Sequence, residues 1–168
     1  MADVCESNIA DNYLDLDKEI NKCCDLSKKR MEDLIENHCI NDTYNKLQEI
    51  KLPYYNVISG DVPVNEYCIY YVSILKDIYE SMINCYEDNF IKEMMNKALD
   101  DFFNKFEDYI LHGKKIEDEN CLKQFKRDMI FLKKNLIFIT IIDLTELKNR
   151  IDNINKSVLP EWLRPKKK

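Results

Sequence analysis

DNFIKEMMNKALDDFFNKFEDYILHG, residues Asp88 to Gly113, is the stretch whose reading decides the fold. Ile91, Met95, Ala98, Leu99, Phe102, Phe106, Tyr109 and Ile110 recur at steps of three and four. That spacing places them on one side of an α-helix. Phe90, Met94 and Phe103 widen the stripe, so more than one neighbour must cover it. Asp88 has the chemistry of an N-cap, and Gly113 stands where a helix can end in the left-handed conformation. A helix of this length spans roughly 35 Å, about the width of a small domain. It reads as the central helix of an all-α bundle.

Moving outward towards the N-terminus, Tyr67, Tyr71, Ile74, Leu75, Ile78, Met82 and Cys85 share one face of a helix expected over Val64 to Tyr86. Its connection to the central helix at Glu87 and Asp88 is very short, which predicts an antiparallel hairpin or a kinked continuation. Before it lies LPYYNVISGDVP, residues 52–63. Ser59-Gly60-Asp61 forms its turn, Pro63 and Asn65 prepare the next helix, and Tyr54, Tyr55 and Val57 are expected to pack across the bundle. Further back, Ile9, Leu16, Ile20 and Cys23 keep helical time, continued by Leu26, Met31, Leu34 and Ile35. This predicts one long helix or two meeting near Asp25. The pattern breaks from His38 to Asp42, and Tyr44, Leu47 and Ile50 form a short segment that Pro53 ends.

Towards the C-terminus, Lys114 to Asn120 reads as a charged loop, and Leu122, Phe125, Met129 and Leu132 build a helix. The run Leu136 to Ile142 is β-branched enough for a strand, but no second strand exists to pair with it. It is therefore expected as buried helix. Asp143 and Glu146 have capping-box spacing ahead of Leu144, Leu147, Ile151 and Ile154, and Pro160 stops that helix. The expected architecture is a single all-α bundle of about six helices over residues 1–159, followed by an extended basic tail over 160–168.

Composition supports this class. With two glycines and four prolines in 168 residues, turn chemistry is too scarce for a many-stranded sheet. The net charge is −6, and removing the four cations of Arg164 to Lys168 leaves −10. A body of that charge does not bind nucleic acid broadly. Seven cysteines occur without paired spacing, and His38 and His112 lie far apart. With no leader-like segment and mostly helix-face positions, these features predict reduced thiols in a cytoplasmic or nuclear protein, with no metal and no cofactor. No apolar run approaches the ~20 residues of a membrane span. Phosphate loops, nucleophile elbows and metalloprotease helices are lacking, and His38 beside Cys39 is not a catalytic pair by adjacency. The chain is expected not to be an enzyme.

The tail breaks the pattern. Pro160 and Pro165 hold it extended, Trp162 is the only tryptophan, and Arg164, Lys166, Lys167 and Lys168 are donors suited to phosphates. Trp162 either covers the bundle end or stacks on a base. A thin cationic tail on an acidic helical body resembles ribosome-associated dormancy (hibernation) factors. That resemblance implies docking on ribosomal RNA and ribosomal proteins, with the tail in a tRNA site to silence idle ribosomes. Trp162, Arg164 and Lys166 to Lys168 would then be the RNA-binding residues. Over Pro63 to Ile154 the body is also similar to the C-terminal helical bundles of vesicle-tethering subunits, through Asn65-Glu-Tyr67, the Phe90 to Phe106 helix and Gln124-Phe-Lys-Arg-Asp128. This second resemblance implies an adaptor with protein partners on the bundle surface.

Overall fold

The computed structural model describes residues 2–50, 64–112 and 119–157, with side chains over 12–50, 64–110 and 119–157. Every regular element among the described residues is helical. In order these are α1 (Ala2–Leu34), a π-helical segment (Ile35–Asn41), α2 (Asp42–Gln48), α3 (Glu66–Met82), α4 (Asp88–His112), α5 (Glu119–Asn135) and α6 (Leu144–Ser157). The chain divides into two compact units, Met1–Leu34 and Ile35–Lys168. The first is α1, one uninterrupted helix through Asp25 rather than two.

In the second unit, the pattern break seen at His38 to Asp42 is a widened helical turn. Ile35, Cys39 and Ile40 are buried, and Thr43 and Leu47 continue the buried row into α2. A π-turn holds more residues than an α-turn, so it re-phases the apolar face without ending the helix. The Thr43 hydroxyl donates to the Cys39 carbonyl, satisfying an acceptor within this segment.

The central helix is α4, and α3 packs antiparallel to it. Tyr71 stacks on Phe102 with ring centroids 3.9 Å apart, while Tyr67, one turn earlier, stacks on Phe106, one turn later. Phe125 of α5 extends this aromatic column from the other side of Phe106. The connection is the hairpin alternative. The helix α3 ends at Met82, with Cys85 and Tyr86 bonded back to the Met82 carbonyl in the turn. Cys85 is therefore exposed rather than on the α3 core face. Asp88 is inside α4 rather than its cap, because the first carbonyl accepting from the helix is that of Glu87. Similarly α5 begins at Glu119, so Asn120 belongs to helix and not to the preceding loop.

A further expectation is overturned. Leu136 to Ile142 is neither buried helix nor strand but a chain of turns between α5 and α6. Leu136 and Ile139 point inward, whereas Ile137 is 56% exposed. Seven consecutive apolar residues carry no period, so their composition could not show which of them face the core. Tyr79 ties this connection to α3 through Thr140, hydroxyl to hydroxyl at 3.2 Å. Asp143 caps α6 by accepting from the Thr145 backbone N–H at 2.8 Å, an N-cap bond to the second helical residue rather than the bond to Glu146 that a capping box makes. The loop at 52–63, Gly113 with residues 114–118, and everything from Val158 on, including Pro160 and the tail, lie outside the described residues.

Candidate functional site

Trp162, Arg164, Lys166, Lys167 and Lys168, predicted as the RNA-binding set, lie outside the described residues. The structure therefore brings none of them together. His38 and Cys39 point apart, as expected of neighbours on a helix. His38 is exposed, with Nδ1 3.1 Å from Asp42 Oδ2. Cys39 is sealed in the core, and burial pushes its thiol up to about 12. Such a thiol holds its proton and is a poor nucleophile. Among the described residues no three His, Cys, Asp or Glu side chains are placed to hold a metal ion.

The most developed polar constellation is centred on Asp128, a fully buried carboxylate on α5. Its Oδ1 accepts from the Asn65 backbone N–H and from Gln124 Nε2, both at 3.0 Å. Its Oδ2 accepts from Asn65 Nδ2 at 2.8 Å and the Tyr67 hydroxyl at 3.0 Å. Four donors on two oxygens suit an acceptor-only carboxylate. Asn65 is the N-cap of α3 but makes no side-chain cap of its own. The Asp128 carboxylate instead meets that helix start, where the macrodipole favours negative charge. Cys68 lies against the same carboxylate, and burial first, then the Asp128 charge, push its thiol well up.

This node unites Asn65 and Tyr67 at the start of α3 with Gln124 and Asp128 of α5. Its central carboxylate is fully buried and accepts four hydrogen bonds, so it fastens α3 to α5. Sequence reading missed it. The available signal was the pair Gln124 and Asp128, polar residues four apart beside the Phe125 and Met129 stripe.

An open cleft of about 640 Å³ lies along α4 and α6. Lys92, Asn96 and Asp100 line one side, and Glu146, Arg150 and Asn153 the other. Arg150 is already committed. Its guanidinium bonds the Asp100 carboxylate and the Asn104 side-chain oxygen and lies over the Phe103 ring. Asp143 is spent on the α6 cap. Leu99, Ile142 and Leu147 complete a lining of mixed polar and apolar character, with no nucleophile and base in contact among the residues that form it.

What remains is a surface. On α1, Tyr13, Leu16 and Ile20 fall on one face and are 66%, 55% and 50% exposed. Cys23 and Cys24 continue that face and are exposed as well. Leu14 and Leu26 flank it and are also open to solvent. No other helix of the chain carries so long an uncovered apolar stripe among the described residues. No described helix is long and apolar enough to cross a membrane, so the stripe is not part of a bilayer span. The sequence matches no protein-family model, and neither a curated relative nor a solved structure similar to the chain was found.

Proposed function

We propose that the protein is a non-enzymatic helical adaptor, in which the Ile35–Lys168 unit is a folded body and α1 is the arm that binds another protein chain. The observation that carries this reading is the exposed stripe Tyr13, Leu16 and Ile20 on a helix that forms a unit by itself. Helices in water draw most of their stability from packing an apolar face. A long helix with that face open is a surface waiting for a partner. Among the described residues of the body, the Asp128 carboxylate already accepts four hydrogen bonds and the thiols Cys39 and Cys68 are held protonated, which supports a binding role.

The test is photo-cross-linking in the native cell with benzoylphenylalanine at Leu16, compared with the same group at Lys18 on the opposite face. Cross-links to a polypeptide from position 16 and none from 18 are the expected result. Equal yields from both faces, or none from either, would reject the arm.

A second reading is favoured by one observation, the four cations of Arg164 to Lys168 beside Trp162 on an otherwise acidic chain. In it the tail enters an RNA-lined tRNA site on the ribosome and the body stays outside. Four phosphate contacts would give a logarithmic salt slope of roughly −3 for ribosome binding. A chain ending at Pro160 should then bind at least about tenfold more weakly, with a flatter salt response. Equal binding by the shortened chain removes this reading and leaves the adaptor.

A further inference from the structure

The side of α5 turned away from the core is cationic. Lys123, Lys126, Arg127, Ile130 and Lys134 follow one another at helical spacing and are all exposed. Leu122, Phe125, Met129 and Leu132 take the buried side. The face continues onto α6, which the Lys133–Asp152 ion pair ties to α5. Lys148 and Lys156 stand one turn before and one turn after Asp152, so they share its side of α6, and both are exposed. Lys123 pairs with Glu119 at 3.3 Å. Lys126, Arg127, Lys134, Lys148 and Lys156 have no acidic partner among the described residues. The other carboxylates of this stretch are turned elsewhere: Asp128 is buried, and Asp143 and Glu146 line the cleft beside α4. Residues 119–157 carry +3, and the rest of the chain carries −9.

We infer that this face rests on the surface of a membrane rich in anionic lipid, with the cations among the headgroups and Ile130 and Ile137 reaching the acyl boundary. The inference goes beyond the adaptor reading, because it concerns the body and does not depend on α1. Ile130 sits in the middle of the cations and is 50% exposed, and Ile137, in the turn that follows α5, is 56% exposed. A nucleic-acid backbone offers such side chains nothing apolar, whereas the boundary beneath lipid headgroups does. Four of the five unpaired cations are lysines, compact point charges that need no planar, bidentate partner. A fluid array of anionic headgroups supplies negative charge of that diffuse kind. The Lys133–Asp152 pair lies across the seam between α5 and α6, so the face offers no open groove for a partner's helix. Cations together with an inserted apolar group supply the two signals that stable peripheral attachment takes. No described helix is long and apolar enough to cross a membrane, so the contact is made at its surface.

The test is co-sedimentation of the full-length chain with vesicles of phosphatidylcholine, alone or with about 30% phosphatidylserine. Binding to the mixed vesicles and not to the neutral ones, weakening as salt rises, is the expected result. Lys126→Gln with Lys134→Gln should weaken binding about 25-fold, at about fivefold for each lysine near an anionic surface. Lys76→Gln with Lys92→Gln removes the same charge from α3 and α4 and should change binding less than about threefold. Ile130→Ser keeps every charge and should weaken binding about fivefold, as the loss of an apolar group from the acyl boundary requires. All these positions are exposed, so the variants should keep the native circular-dichroism spectrum. Failure of the native chain to bind the mixed vesicles overturns the inference, and so do equal losses from the two lysine pairs. An Ile130→Ser chain that binds like the native one assigns the face to polyanions in general, RNA included, and overturns it too. If replacing Lys166, Lys167 and Lys168 with Gln abolishes binding while the α5 variants bind normally, the tail is the attachment and the inference falls.

Discussion

Asp128 occupies a position on α5 that periodicity would assign to the core, and it is a carboxylate. It survives there because Asn65, Tyr67 and Gln124 supply four donors to it. Truncating it to alanine would strand those donors, so Asp128→Ala should lose about 3 kcal/mol or more in urea unfolding. A loss below about 1 kcal/mol would show that the node is not a fastening. Phe102 makes a parallel case in apolar chemistry. It is buried between Tyr71, Phe103 and Phe106, and Phe102→Ala should cost about 3–5 kcal/mol by the same measurement. Cys39 adds a pH dependence. Burial raises its thiol from 9.0 to about 12. The unfolded chain releases that proton near pH 9 and the folded chain holds it until about 12. Its contribution to stability is therefore complete below pH 9 and is lost as pH climbs from 9 towards 12, at up to about 1.4 kcal/mol per pH unit. Cys39→Ala should unfold with a shallower decline across that window. Parallel curves for the two proteins would contradict the burial of this thiol.

Among the helices, α3 to α6 were legible in sequence because each carries an apolar stripe with helical period. Their ends were less so, since caps depend on which carbonyl accepts first, as at Glu87. The π-turn registered only as a broken pattern, because a wider turn shifts phase without changing residue type. Leu136 to Ile142 failed for a related reason: a run without polar residues carries no phase at all. The structure separates its members, with Ile139 fully buried and Ile137 exposed. Ile137→Asp should therefore change stability by less than about 0.5 kcal/mol, the usual range for surface positions. Ile139→Asp buries an unpaired charge and should prevent stable folding. Thermal melts of the two variants decide the matter, and equal effects would refute this path of the chain. The stripe of α1 was equally visible in sequence. Periodicity tells which face is apolar and not what covers it, so α1 read as one more bundle helix.

At the level of the entire protein, the two units differ in kind. The unit from Ile35 closes on itself through the aromatic column, the Asp128 node and the Lys133–Asp152 ion pair, at 2.8 Å between α5 and α6. The unit from Met1 to Leu34 is a helix with its apolar side open. Its stability then depends on mass action, as for any surface that folds against a partner. Amide hydrogen exchange in full-length protein measures that dependence directly. With increasing amounts of the polypeptide that Leu16 cross-links, residues 12–26 should gain protection, because a covered helix opens only with its partner's departure. Over the same titration, Glu66–Met82 and Asp88–His112 should exchange at unchanged, slow rates. Protection of residues 12–26 that stays the same at every concentration of that polypeptide would contradict the account, because the stripe would then not be the surface through which the partner binds.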